Sequence, residues 1–337
     1  MADARTHPGL VAPRPPVAWR WPLTLLSPTG HRGRLTVLIF HRVRPEPDPL
    51  FPRELDAAAF RERLSWLRAW FNVLPLDDAV DALARGLLPA RAAAITFDDG
   101  YADNHDVALP ILREMGVPAT FFIATGFLDG GRMWNDTVIE AIRRTPRPTL
   151  DLSDIDAGAH VVGTPAERRA AVLAVITALK HRAPAEREDA VARVAEAAGT
   201  DLPADLMMTS DKVRRLAAAG MGIGAHTITH PILASSEDAM ARREIGGGRE
   251  ILEGLVGRPV RLFAYPNGKP TSDYRARHVA MVKAAGFAAA FSTAPGAAHT
   301  TDSPFELPRF TPWDASAGRW GARLARNVFA TIERAAA

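Results

Sequence analysis

Short apolar runs alternate with amphipathic helical patterns along most of this chain, and this alternation constrains its fold more than any other feature. Short apolar runs bounded by turn residues are typical of buried strands, and apolar residues three or four apart are typical of helices. A strand–helix alternation indicates a parallel sheet whose strands are connected by helices. We predict strands at Leu35–Phe40, Ala92–Phe97, Ala119–Ala124, Ile223–Ala225, Val260–Ala264, Phe287–Phe291 and Phe305–Leu307.

The segments between these strands have the residue spacing of helices that bury one face. Asp56 is a candidate N-cap, and Phe60, Leu64, Leu67 and Phe71 share a face of the helix that follows it. The other predicted helices are Asp77–Arg85, His105–Met115, Lys212–Ala219, Glu237–Leu255 and Ser272–Ala285.

The number of strands favours one large barrel. About seven strands in one series predict an α/β fold with a closed or nearly closed (β/α) barrel, and an open doubly wound sheet is the alternative. Residues 137–208 interrupt the series with helical segments and almost no strand signal, so we interpret them as a helical insertion. The barrel is then predicted to span residues 35–314, after an irregular arm at residues 1–34 that is rich in Pro, Arg and Trp.

Composition restricts the chemistry that the chain can use. Its 337 residues include no cysteine, so a metal site would have to use His and carboxylate ligands. Lys and Arg number 41 against 38 for Asp and Glu, which gives a net charge of only +3. Since no RNA- or DNA-binding motif accompanies this small surplus, nucleic acid is not an expected partner.

Both ends of the chain bear on location. The apolar run from Trp21 to Leu26 is too short for the core of a signal peptide, and no stretch approaches the roughly 20 residues that span a bilayer. A cytoplasmic protein is therefore expected. Residues 315–337 are predicted to form a basic amphipathic helix carrying Trp320, Leu324 and Phe329. That helix is a candidate for peripheral contact with an anionic membrane, and packing against the barrel is the alternative.

Two polar motifs directly follow predicted strands, where both fold types bind ligands. Asp98 and Asp99 end the second strand, and adjacent carboxylates there should face different directions because side chains alternate along a strand. His226 and His230 follow the strand at Ile223–Ala225 and could converge on one ion. Taken singly, the motifs could be an Asp-Gly turn and a pair of surface or core histidines. Together they form a hydrolytic metal set with a second carboxylate as a candidate general base.

The two motifs, in this order, resemble those of the polysaccharide deacetylase family, carbohydrate esterase family 4. Thr-Phe-Asp-Asp-Gly occupies residues 96–100 and His-Thr-Ile-Thr-His occupies residues 226–230. The resemblance covers roughly residues 35–310 apart from the insertion, and it implies a distorted (β/α) barrel of about seven strands. It also implies that Asp98 is the general base and that Asp99, His226 and His230 bind a divalent metal, usually zinc.

The reaction implied by the resemblance is hydrolysis of an N-acetyl group on a sugar, giving acetate and a free amine. The substrate would be an N-acetylhexosamine in a polysaccharide, an oligosaccharide or a lipid-linked precursor. Two alternatives stay open, which are a hydrolase of a non-sugar amide and a metal-free sugar-binding protein.

A third motif departs from the common family pattern. Many members carry an arginine that orients the catalytic base, but the corresponding position here is Ala264, in Phe-Ala-Tyr-Pro-Asn-Gly at residues 263–268. This form resembles branches that include biofilm-polysaccharide deacetylases and some non-sugar amidohydrolases. Arg309, after the last predicted strand, is the candidate replacement for pairing with Asp98, and a surface arginine is the alternative.

The general acid is also displaced from its usual late position. His41 directly follows the first predicted strand, as in the biofilm-polysaccharide branch, whereas His299 lies in a Gly/Ala/Thr loop with no strand before it. We therefore predict that His41 rather than His299 protonates the leaving amine, because its position fits the active edge of the barrel and histidine as a residue type is suited to proton transfer near neutral pH.

Candidate substrate contacts are mainly aromatic. Aromatic rings pack well on the apolar faces of sugars, although each such residue could equally belong to the core. The candidates are Tyr101, Trp134, Tyr265 and the neighbouring Pro266.

Overall fold

A curled parallel sheet lies at the centre of the computed structural model, which describes residues 17–311 and 313–336. The strands are β1 (Leu35–Phe40), β2 (Val43–Arg44), β3 (Leu55–Asp56), β4 (Asn72–Val73), β5 (Ala92–Phe97), β6 (Thr120–Ile123), β7 (Thr149–Leu152), β8 (Gly158–Val161), β9 (Gly222–Ala225), β10 (Leu262–Ala264) and β11 (Ala289–Phe291). The helices are α1 (Arg20–Leu26), α2 (Ala57–Trp70), α3 (Leu76–Ala84), α4 (Leu109–Glu114), α5 (Trp134–Arg144), α6 (Pro165–Leu179), α7 (Pro184–Ala198), α8 (Ser210–Ala218), α9 (Asp238–Val256), α10 (Ala276–Ala284) and α11 (Ala317–Asn327).

The sheet has the predicted architecture of a distorted (β/α) barrel. Its strands pair in the order β1-β5-β6-β9-β10-β11, all in parallel, and β4 adds a short pairing to β5. The gap between β11 and β1 is bridged by extended chain rather than by a strand. In this bridge, the amide of Leu307 donates to the carbonyl of Ala290 at 2.9 Å, and the amide of Phe310 donates to Val37 at 2.9 Å. The predicted strand at Phe305–Leu307 is therefore wrong as a strand, because only single bridges hold this segment.

Side-chain alternation divides each strand between two cores. In β5, Ala92 and Ala94 belong to the cluster inside the barrel, together with side chains of the other strands such as Leu262 and Phe291. The alternate residues of the same strands pack outward against the helices. Asp98 continues the inward series of β5, so its carboxylate enters the barrel at the carboxyl end of the sheet.

The segment predicted as a helical insertion has a core of its own. Helices α5, α6 and α7 pack together with an antiparallel hairpin formed by β7 and β8. The near absence of strands predicted here is wrong. The hairpin strands have only four residues each, and β8 buries none of its residues, so the strand signal is short. The turn between them uses Asp156 at φ 52°, and β8 begins at Gly158 with φ 78°. Two buried leucines of β7, Leu150 and Leu152, attach the hairpin to the helices.

Both predicted terminal segments contact the barrel. Residues 1–16 of the predicted irregular arm lie outside the described residues, and the rest of the arm includes the short helix α1. In α11, Trp320 and Leu324 are fully buried, and the Trp320 ring packs against Trp66 and Trp70 with centroids 5.6 Å and 5.8 Å away. Membrane contact through this helix stays a prediction that these two side chains do not support. Among the described helices, none is long and apolar enough to cross a membrane.

Candidate active site

The two adjacent aspartates at the end of β5 point to different partners. Asp98 is still in sheet register, since its amide donates to the carbonyl of Phe40 at 2.9 Å. The backbone then turns sharply, with φ 76° at Asp99 and φ 93° at Gly100. A left-handed conformation is costly for an aspartate, and such residues concentrate at functional sites. The turn directs Asp99 away from the barrel interior and towards the His226 loop.

Asp98 is held by a buried arginine. The guanidinium of Arg309 donates from Nη1 to Oδ1 at 2.6 Å and from Nη2 to Oδ2 at 2.8 Å. Arg309 is 0% exposed and Asp98 is 2% exposed, so water cannot screen this pair. Arg309 also donates to the hydroxyl of Thr96 at 3.2 Å and to the carbonyl of Ser292 at 3.2 Å. Arg309 thus makes the contact with Asp98 that the common family pattern assigns to an arginine at the position occupied here by Ala264.

The pair determines the charge state of Asp98. Burial alone would raise the pKa of this carboxyl, but the Arg309 guanidinium and then His226 lower the pKa below its usual value. Asp98 is therefore ionised at neutral pH. Each of its oxygens accepts a bond from Arg309 and keeps a second lone pair that can receive a proton.

Asp99, His226 and His230 form a cluster that we call the metal-ligand triad. Their ligand atoms all lie within 4.8 Å of one another. Nε2 of each histidine is 3.5 Å from Oδ1 of Asp99. Zinc ligands at 2.0–2.1 Å in tetrahedral geometry are about 3.3 Å apart, so the donor set and its spacing fit such an ion. Nδ1 of His226 donates to the carbonyl of Ala264 at 2.8 Å, which leaves the Nε2 lone pair free to face a metal.

The loop between the two histidines is fixed by a buried carboxylate that the sequence analysis missed. Glu244, 3% exposed on α9, accepts bonds from the amides of Ile228 and Thr229, both at 2.8 Å. Gly248, one turn further along α9, lies against this loop, since a Cβ there would be 2.9 Å from the carbonyl oxygen of Thr227. The signal was present in the sequence: Glu244 shares the otherwise apolar face of α9, and a glycine inside a helix indicates close packing.

A pocket of about 400 Å³ opens above the metal-ligand triad and Asp98. Of the predicted residues, it brings His41, Tyr101 and Trp134 to its walls. His299 is not among the lining residues, and its Nδ1 lies 3.0 Å from the hydroxyl of Thr301 instead. The structure therefore places only the first of the two candidate acids next to the metal-ligand triad.

Two predicted substrate contacts lie elsewhere. Tyr265 is 0% exposed, stacks on Tyr274 with centroids 3.8 Å apart, and donates its hydroxyl to the carbonyl of Phe305 at 3.0 Å. It shares the outward face of its strand with Phe263, two residues earlier, so alternation turns both rings towards the helices. Pro266 is also buried and does not line the pocket. Asn267, the next residue, does line it.

The wall around Tyr101 contains a further carboxylate, Asp136, in addition to Asp98 and Asp99. The Tyr101 hydroxyl donates to Oδ1 of Asp136 at 3.1 Å, and the Arg42 guanidinium lies 4.5 Å from the centre of the Tyr101 ring. Oδ2 of Asp136 is buried and has no hydrogen-bond partner among the described residues. Burial raises the pKa of Asp136 to about 7, so this side chain can act as a hydrogen-bond donor as well as an acceptor near neutral pH.

Comparison with known proteins agrees with this geometry. A model of the polysaccharide deacetylase family matches residues 86–290, which include the metal-ligand triad and Asp98. The chain belongs to the polysaccharide deacetylase family. The matched region also includes the segment that forms α5, α6 and α7.

Two curated relatives match over shorter segments. The putative polysaccharide deacetylase YxkH of Bacillus subtilis is 29% identical over 97 residues, which are 28% of this chain and 33% of that protein. The poly-beta-1,6-N-acetyl-D-glucosamine N-deacetylase of Staphylococcus epidermidis is 26% identical over 102 residues, 30% of this chain and 35% of that protein. The matches thus span about a third of each relative.

The fold is shared over a greater length. The structure of IcaB from Ammonifex degensii superposes with a TM-score of 0.58 at 19% identity, covering 89% of this chain and 98% of that chain. The likeness at this identity shows a common barrel, and it agrees with the parallel strand order described above.

Proposed function

We propose that this chain hydrolyses the N-acetyl group of an N-acetylhexosamine, with a divalent metal, Zn²⁺ in the first instance, as cofactor. The substrate would belong to a polysaccharide, an oligosaccharide or a lipid-linked precursor. The observation that carries the proposal is the convergence of Asp99, His226 and His230 beside the ionised carboxylate of Asp98. The likeness over 102 residues to a relative named as a poly-beta-1,6-N-acetyl-D-glucosamine N-deacetylase supports the choice of sugar.

The roles of the side chains follow from their positions. A cation bound by the metal-ligand triad would act as a Lewis acid towards the acetyl carbonyl and the attacking water. Asp98 would accept the proton of that water, and Arg309 would hold the carboxylate in one orientation through its two hydrogen bonds. His41, exposed on the pocket wall, would donate a proton to the leaving nitrogen. The products are acetate and a free amine.

Substrate contacts are proposed for the part of the pocket wall that contains Tyr101, Trp134 and Asp136. Tyr101 and Trp134 line the pocket and are the proposed aromatic contacts, and the Asp136 carboxylate lines it beside Tyr101. The departure at Ala264 no longer favours a non-sugar substrate, because Arg309 provides the guanidinium that the motif lacks.

Acetate release from N,N′-diacetylchitobiose and longer oligomers tests the proposal. We expect release by the purified protein, loss after treatment with a chelator, and recovery on addition of Zn²⁺, because the triad needs the cation to polarise the acetyl group. An N-acetylated peptide serves as the non-sugar comparison. Release that survives complete metal removal would contradict the metal role, and release from the peptide alone would favour the non-sugar amidase.

The choice of acid gives a second prediction. Replacing His41 with Ala should lower turnover by about 10²- to 10⁴-fold, the usual contribution of a positioned proton donor. Metal content should stay unchanged, because His41 is not part of the metal-ligand triad. His299→Ala is the matched control, since that side chain contacts Thr301 away from the pocket. If His299→Ala lowered turnover and His41→Ala did not, the assignment would be reversed.

A further inference from the structure

The helical insertion provides one wall of the active-site pocket. Trp134 and Ile139 come from α5, Ile176 comes from α6, Lys180 directly follows α6, and Arg187 comes from α7. The pocket therefore connects the metal-ligand triad with a surface that the barrel itself does not supply. A substrate whose acetamide reaches the triad can also touch this wall.

The pocket contains basic side chains with and without partners. Arg42 is paired with Asp103 at 2.7 Å, and Arg44 is paired with Glu54 at 2.8 Å. Because each of these arginines already has a carboxylate partner within the protein, neither needs a charged ligand to balance its charge.

Lys180 and Arg187 differ from this pattern. The Arg187 guanidinium lies 5.0 Å from the centre of the Trp134 ring and donates to the carbonyl of Lys180 at 3.4 Å. Within residues 17–311 and 313–336, neither cation forms an ion pair with a carboxylate. Burial lowers the pKa of Arg187 without an opposing acidic group, yet arginine remains charged at any physiological pH.

Both cations are half-buried, and their partial desolvation is not compensated by an acidic partner. A bound anion would relieve this cost, and a guanidinium presents paired donors that match a phosphate or a carboxylate. The Trp134 ring holds that guanidinium at the pocket wall. We propose that the N-acetylated sugar carries an anionic group, phosphoryl or carboxylate, which Arg187 and Lys180 bind while the acetamide lies at the metal-ligand triad. This rests on the proposed deacetylase function.

The test compares a neutral sugar with two anionic sugars on the metal-loaded protein. The substrates are N,N′-diacetylchitobiose, N-acetylglucosamine 1-phosphate, and a hyaluronan tetrasaccharide in which the charge is a carboxylate. We expect at least one anionic substrate to have a higher kcat/KM than the neutral one, with the difference mainly in KM. In Arg187→Gln and in Lys180→Met the ratio of anionic to neutral kcat/KM should fall by about tenfold or more.

Arg193→Gln is the matched control. Arg193 is on the same helix, α7, but its partners are Asp154 at 2.5 Å and Glu196 at 2.7 Å, and it does not line the pocket. This variant should keep the wild-type substrate ratio. The melting temperature of each variant shows whether a change in the ratio accompanies loss of the fold.

Binding separates failure of this proposal from failure of the deacetylase function. The inactive Asp98→Asn variant is titrated calorimetrically with N-acetylglucosamine 1-phosphate, with and without Arg187→Gln. A weaker Kd on loss of Arg187 supports the anion site even if no sugar is hydrolysed. Equal kcat/KM for neutral and anionic sugars, a substrate ratio in Arg187→Gln no lower than that in Arg193→Gln, or an unchanged Kd on loss of Arg187 overturns it. A response to the hyaluronan tetrasaccharide alone assigns the group as a carboxylate.

Discussion

Replacing Asp98 with Asn is expected to lower turnover by about 10²- to 10⁴-fold while the protein keeps its metal. The asparagine cannot take a proton from water, but the metal-ligand triad is intact. Replacing Asp99 with Ala should remove turnover and metal together, because Asp99 supplies the only carboxylate among the three clustered ligands. Acetate release gives turnover, and elemental analysis of the purified variants gives metal content.

The comparison between these two variants is the decisive measurement. The structure predicts different results because the side chains face different partners, Arg309 for Asp98 and the two histidines for Asp99. Equal loss of metal in both variants would show that the two carboxylates share the metal. Unchanged turnover in Asp98→Asn would remove Asp98 from the role of base.

Replacing Arg309 with Met is expected to reduce both stability and turnover. Breaking a buried ion pair by removing one partner costs about 3–5 kcal/mol, because the remaining charge is left uncompensated. Urea denaturation should show this loss at neutral pH. Because the pKa of Asp98 is lower in the folded than in the unfolded protein, the contribution of the pair is complete above the unfolded pKa of about 4 and declines as the pH falls through the folded pKa.

Activity should respond to pH in the same variant. Without the guanidinium, burial raises the pKa of Asp98, so the acid limb of the rate profile should move to higher pH.

The double variant that combines Asp98→Asn and Arg309→Met is the control for the stability measurement. It should be more stable than the sum of the two single losses predicts, since neither charge is left alone. Additive losses would mean that the pair is not coupled.

The sequence alone is sufficient to predict the location of those site residues that directly follow a strand. Asp98 and Asp99 end a long apolar strand, β5, that begins and ends where it was predicted. His226 follows β9 in the same way. A strand end fixes the edge of the sheet, so the motifs could be assigned to one face before any coordinates were known.

Other features depend on contacts that no local pattern contains. Arg309 is predicted as the partner of Asp98 from its place after the strand expected at Phe305–Leu307, but that segment forms only single bridges, and no local pattern fixes a bond between residues 211 apart in the chain. The aromatic ring and strand-end position of Tyr265 leave it equally open to the pocket and to the core, and strand alternation turns it outward into the core. Glu244 stands out on the apolar face of α9, but which loop its carboxylate bonds is set by a tertiary contact that the helical pattern does not specify.

The long separation between Asp98 and Arg309 also determines when the site can form during protein synthesis. A ribosome releases β5 long before residue 309, so during synthesis Asp98 has no Arg309 to pair with and the seam between β11 and β1 cannot yet close. Contacts of such high sequence separation are expected to form late, since the intervening chain must first be ordered. The same final segment bridges the seam and supplies the countercharge of Asp98. Completion of the catalytic centre and closure of the barrel are therefore expected to occur together.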